Sequence, residues 1–121
     1  MKRALIVDDS PTVRAIIKST MDGMGFECIT AQDGQKAIKI LGEQVVDIII
    51  TDINMPNMDG ITLIKELRKQ KNSQYTPILV ISTEGNNDIK TQGKQAGASG
   101  WIVKPFQPDV LQNAVTKLCM L

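Results

Sequence analysis

Histidine is absent from all 121 residues. That absence removes imidazole general-base catalysis, imidazole-ligated metals, and any part as the histidine member of a phosphoryl relay. Cysteine is nearly as scarce. Cys28, in an expected strand, and Cys119, near the C-terminus, are the only two, and a reducing cytoplasmic compartment is the default expectation. No apolar run approaches the length of a membrane span. Met1-Lys2-Arg3 precedes only a short apolar stretch before Asp8, which excludes a signal peptide as the expected reading. Charge of one sign is lacking too: 14 Lys and Arg against 13 Asp and Glu give a net +1. A general nucleic-acid surface is therefore not expected. The one local basic cluster, Lys65, Arg68, Lys69 and Lys71, reads as a solvated helix end near the favourable pole of its dipole.

What is present is ordinary for a globular protein: 42% apolar and 22% charged residues, enough to bury a core without disulfide staples. Five short apolar runs punctuate the chain, at residues 4–7, 26–30, 48–51, 78–81 and 101–103. Three of them are continuous and rich in β-branched residues, as expected of strands buried on both faces. Helical periodicity fills the gaps. Ser10 and Pro11 read as N-cap and first-turn residue of a helix carrying Val13, Ile16, Ile17, Met21 and Met24 on one face. Helices are expected over residues 35–42, 60–70 and 108–118. A marginal one is expected over residues 86–96, where Ile89 and Ala96 are the apolar anchors and Gly93 lies inside. Strand and helix alternate with short connections, which predicts an α/β domain with a parallel sheet over residues 1–121 and no output domain.

The residues that end the strands are unusual. The first ends at Asp8-Asp9, the third at Asp52, the fourth at Ser82-Thr83 and the fifth at Lys104-Pro105. In an open parallel sheet all strand C-termini share one edge, where ligands bind. In the strand order 2-1-3-4-5, the four strands with polar ends are neighbours and the strand ending near Ala31 is outermost. That order is taken over from flavodoxin-like sheets rather than read from the spacing. Three carboxylates so placed repel one another, by at most about 4 kcal/mol per pair at 4 Å and an effective dielectric near 20. A cation resolves such a cluster, and all-oxygen ligands that leave room for water suit Mg²⁺ better than Ca²⁺. Asp8 and Asp9 could instead merely cap the first helix, but Ser10, backed by Pro11, already fills that position.

The segments LIVDD, TDINMPNMDG, ISTEG and GASGWIVKPF together resemble the receiver domains of two-component response regulators, and among them the stand-alone chemotaxis regulators. The resemblance covers essentially residues 2–118. It implies a single flavodoxin-like (βα)5 domain, with helices on both faces of the sheet and Asp52 as phosphoacceptor toward the phosphohistidine of a histidine kinase. It implies Mg²⁺ held by Asp9, Asp52 and the backbone carbonyl of Asn54, with Asp8 acting through water. Lys104 pairs with a phosphoryl oxygen as a compact point charge, and its bond to Pro105 is expected to be cis. Ser82, preferred over Thr83, is the switch hydroxyl, and Trp101 is the switch aromatic, where the family more often has Tyr or Phe. Asn54 and Glu84 are expected to tune hydrolysis of the acyl phosphate.

The function so implied is a cytoplasmic, monomeric regulator that is not an enzyme beyond accepting and shedding its own phosphoryl group. Its output is a binding surface formed by the fourth helix, fifth strand and fifth helix. The expected partners are a histidine kinase, a flagellar motor switch protein and a phosphatase, with no nucleic acid and no membrane. Three alternatives stay open. The domain could relay phosphate to a histidine phosphotransfer protein, or serve a target outside chemotaxis. It could be a Mg²⁺-dependent aspartyl-phosphate phosphatase, although Asn54 stands where such enzymes usually carry a second acid. A flavin carrier on the same fold is disfavoured because Asp8 and Asp9 would repel the ligand's phosphate.

Overall fold

Alternate residues of each buried apolar run point to opposite faces of one five-stranded parallel sheet, which is why those runs are apolar throughout rather than alternating. The structure is a computed structural model that describes residues 2–120. Its elements follow in strict alternation: β1 (Arg3–Val7), α1 (Pro11–Gly23), β2 (Glu27–Ala31), α2 (Gly34–Glu43), β3 (Ile48–Thr51), α3 (Gly60–Lys69), β4 (Ile78–Ser82), α4 (Asn87–Ala96), β5 (Gly100–Val103) and α5 (Pro108–Leu118). The sheet order is β2-β1-β3-β4-β5, all parallel, the flavodoxin-like arrangement expected.

Leu5, Val7, Ile49, Ile78 and Val80 face Leu41, Leu63, Ile64 and Leu67 of α2 and α3. Ala4, Ile6, Ile48, Ile50, Leu79 and Ile81 face Ile17 and Met21 of α1 and Leu111 and Val115 of α5. Burying each such large aliphatic side chain contributes about 1.5–3 kcal/mol, and β1, β3 and β4, lined on both sides, carry most of it. α4 is the exception. Gly93 is its one buried residue, and Ile89 and Ala96 pack only partly against the core.

The caps explain where the helices begin. Ser10 Oγ accepts from Val13 N at 3.3 Å, with Pro11 as the first helical residue, as the sequence predicts. Asp33 and Asp59 do the same for α2 and α3, each accepting the N3 N–H at 2.9 Å.

One expectation is overturned. Lys65, Lys69 and Lys71 are exposed, but Arg68 is not part of a solvated helix end. Its guanidinium reaches Gly97 O through Nε at 3.1 Å and Nη2 at 2.7 Å. Its Nη1 reaches Ser73 O at 2.9 Å, Gln74 O at 3.2 Å and Thr76 O at 2.6 Å. The planar, five-donor head group suits this role because it can serve several carbonyls at once. Burial pushes its pKa below the ordinary arginine value.

Candidate functional site

Main-chain hydrogen bonds between neighbouring strands place each functional side chain one residue beyond the end of its strand, or at it. Asp8 N donates to Ala31 O at 3.2 Å, Asp52 N to Val7 O at 3.1 Å, and Lys104 N to Ser82 O at 2.8 Å. With Val7 opposite Thr51 and Ser82 opposite Val103, the acids, the hydroxyl and the ammonium converge on the C-terminal edge of the sheet.

Carboxylate oxygens of Asp8, Asp9 and Asp52 all lie within 4.8 Å of one another. Asp8 and Asp52 are 1% and 7% exposed, whereas Asp9 is exposed. Lys104 Nζ bonds Asp8 Oδ2 and Asp52 Oδ2, both at 2.9 Å. Burial opposes the charge on Lys104 most strongly, but hydrogen bonds and Coulomb attraction from Asp52 and Asp8 outweigh it, and its pKa lies above the ordinary lysine value. Three carboxyl groups against one ammonium leave the notch with acid groups in excess. That excess, together with a purely oxygen donor set, fits a small hard divalent cation such as Mg²⁺.

Asp52 is oriented by the chain that follows it. Its Oδ1 accepts from Ile53 N at 2.6 Å and Asn54 N at 3.4 Å, which leaves Oδ2 for Lys104. The turn then folds back so closely that Gly60 N donates to Ile53 O at 2.8 Å. A Cβ on Gly60 would collide with the Asp52 carbonyl oxygen. Gly60 is thus required by the close approach of α3 to the loop that follows β3. Asp59 beside it caps α3, and hydrogen bonding from the Thr62 main chain holds its carboxyl below the ordinary range.

The remaining expected residues are here too. Ser82 is fully buried and its Oγ accepts from Glu84 N at 3.1 Å, while Thr83 is exposed and lines an apolar groove that Lys104 also borders. Trp101 is half-buried against the α3–α4 side of the core, and its Nε1 donates to Glu84 O at 2.8 Å. Asn54 is exposed at the rim, and the Lys104–Pro105 bond is cis. Sequence reasoning missed Asp59, which supports this edge by capping α3, and Arg68, which ties together the opposite edge, ahead of β4 and β5. Asp59 lay in plain view as an acid before a helix; Arg68 gave no signal, because backbone carbonyls leave no mark in a sequence.

The sequence profile described as the response regulator receiver domain matches residues 4–116. The chain belongs to that family. Among relatives of this receiver, the chemotaxis protein CheY of Pseudomonas aeruginosa is 37% identical over 117 residues, 96% of this chain and 94% of that one. A CheY homolog of Campylobacter jejuni is 39% identical over 113 residues, 92% and 87% of the two chains. Among solved structures, the receiver is similar to Vibrio cholerae CheY4, with TM-score 0.93, 39% identity and 98% coverage of both chains. It is also similar to the receiver domain of a sensor histidine kinase from Pseudomonas aeruginosa, solved with magnesium coordinated in its active-site cleft. That match has TM-score 0.91 and 25% identity and covers 99% and 98% of the chains. The protein is therefore a signalling regulator of the two-component type, with its similarities in chemotaxis.

Proposed function

We propose that Asp52 is the phosphoacceptor of a chemotaxis-type regulator, and that the observation carrying this reading is the Lys104 ammonium shared by Asp8 and Asp52 inside a three-carboxylate cluster. A carboxylate oxygen of Asp52 attacks the phosphorus of a kinase phosphohistidine; the new O–P bond forms as the P–N bond breaks, and the imidazole leaves and takes up a proton. Phosphoryl transfer asks mainly for positioning and charge neutralisation. The main-chain N–H groups of Ile53 and Asn54 fix the carboxylate, and Lys104 follows the charge onto the transferred oxygens. Asp9 and Asp52, the Asn54 carbonyl and, through water, Asp8 would hold Mg²⁺, which when bound supplies further neutralisation.

An apolar groove of about 390 Å³ lined by Val13, Ile16, Thr83, Pro105 and Phe106 ends at Lys104. Its continuity with the acceptor notch suits it to seat the kinase segment that presents the imidazole. The Ser82 hydroxyl, now engaged by Glu84 N, is the group that turns to the phosphoryl oxygens, and the main chain of Glu84, through its N–H and its C=O, links it to the Trp101 indole. The readout surface lies beyond. A groove of about 320 Å³ between α4 and β5 is lined by Lys90, Lys94, Ala98, Ser99, Gly100 and Trp101. Two ammonium groups beside an indole fit an acidic segment with apolar anchors, the chemistry we assign to a flagellar motor switch partner. The regulator acts as a cytoplasmic monomer and returns to rest by hydrolysis, unaided or with a phosphatase.

Incubation with acetyl phosphate and Mg²⁺, followed by intact-mass measurement, tests this. One labile phosphoryl group is expected, absent in Asp52→Asn and in excess chelator. Equal labelling of Asp52→Asn overturns the assignment.

A further inference from the structure

Gly93 lies in the middle of α4 and is the buried residue of that helix. A Cβ on it would stand 2.6 Å from Trp101 Cζ3 and 3.3 Å from Cε3. The benzene half of the indole thus fills the space in which a side chain would be. The other half is held by Nε1 donating to Glu84 O at 2.8 Å. One ring is gripped at two points, a polar one on the β4–α4 connection and a steric one at mid-helix. Nothing in helix formation asks for glycine there, since it is the least favoured residue after proline in a helix interior. α4 is also short of other anchors, with Ile89 and Ala96 only partly buried. The indole is what requires it.

We propose that Gly93 is the seat of the Trp101 ring, so that this position, which does not touch the phosphoacceptor cluster, sets the shape of the α4–β5 groove and its selectivity for an acidic, apolar partner segment. The partner clause rests on the reading of that groove as the output surface; the seating of the ring does not. A side chain at 93 forces the indole away from α4, breaks its bond to Glu84 and moves it into the groove that Lys90 and Lys94 flank.

The two roles that Gly93 could have predict opposite signs. If it were only a weak helix residue, Gly93→Ala would raise the thermal midpoint. As the seat of the ring, Gly93→Ala gives no such rise. It red-shifts the emission of Trp101, the single tryptophan, and makes it more accessible to acrylamide quenching. In a Trp101→Leu background the obstacle is gone, and there Gly93→Ala raises the midpoint. A Gly93→Ala chain too unstable to purify but rescued by Trp101→Leu supports the pairing equally. Unchanged emission and quenching, with the same rise in midpoint in both backgrounds, overturns the proposal. Acetyl-phosphate labelling of the same samples separates the outcomes. Gly93→Ala retains labelling, whereas failure of the wild-type chain to label counts against the functional reading and leaves the ring contact to be judged by fluorescence.

Discussion

Asn54 Nδ2 lies 3.5 Å from Glu84 Oε1, so that the turn after β3 and the connection after β4 meet across the mouth of the acidic notch. Glu84 thereby stands where water would approach a phosphoryl group on Asp52. Glu84→Ala is therefore expected to shorten the lifetime of the Asp52 phosphate, by up to about tenfold, the equivalent of roughly 1.4 kcal/mol in barrier. Loss of label followed by mass after removal of the donor measures it. An unchanged decay rate removes Glu84 from the mechanism.

The Lys104 ammonium bonds Asp8 and Asp52, which leaves Asp9 as the third negative charge of the cluster. In chelator, Asp9→Asn should raise the unfolding midpoint, because a pair of unit charges at such separations repels by about 1 kcal/mol in water-like surroundings. Mg²⁺ should raise the wild-type midpoint by mass action and the Asp9→Asn midpoint far less. Equal shifts in both chains exclude Asp9 as a ligand.

Arg68 holds the α3–β4 connection to the end of α4 through the carbonyls of Ser73, Thr76 and Gly97. Hydrogen bonds to charged groups are worth about 1.5–3 kcal/mol each in favourable cases. Arg68→Ala should cost about 2–4 kcal/mol in urea unfolding, since it also leaves those carbonyls short of donors. Arg68→Lys should recover little of this, because one ammonium cannot span both sides of the fork. A lysine variant as stable as wild type would refute the clamp.

Asp59 offers a pH test. Its folded-state pKa is depressed below the ordinary 3.8, so its charged cap stabilises α3 fully above that value and loses the contribution as pH falls through the lower, folded-state pKa. At neutral pH Asp59→Ala should be about 1 kcal/mol less stable than wild type. The two curves should converge below pH 4. Asp59→Asn, an uncharged cap, should track wild type at neutral pH without the acid loss. A gap that persists undiminished in acid would assign the effect to something other than ionisation.

The strands were legible because a strand buried on both faces must be apolar at every position: the expected runs at 48–51 and 78–81 match β3 and β4 to within a residue. The helices followed from their apolar faces, and even the weakness of α4 was visible in its two apolar anchors. At the site, the meeting of Asp8, Asp52, Ser82 and Lys104 was legible because each stands at, or one residue beyond, the end of a different strand. What stayed hidden was depth and partnership. Adjacent aspartates 8 and 9 look alike in sequence, yet the pleat buries one beside Lys104 and leaves the other exposed. Arg68 looks like its lysine neighbours, and only the path of the backbone around it shows otherwise. The match of Gly93 to Trp101 was equally invisible, since side-chain shape across two elements has no local pattern.

The ammonium that completes the notch belongs to a residue 96 positions after Asp8. During synthesis, Asp52 emerges long before its basic companion, and β5 must dock as the last strand before the acids acquire it. A half-made or carboxy-terminally clipped chain would leave Asp8 and Asp52 side by side without the ammonium they share. The charge pairing at the notch is thus a property of the finished sheet, which no shorter stretch of the chain can assemble.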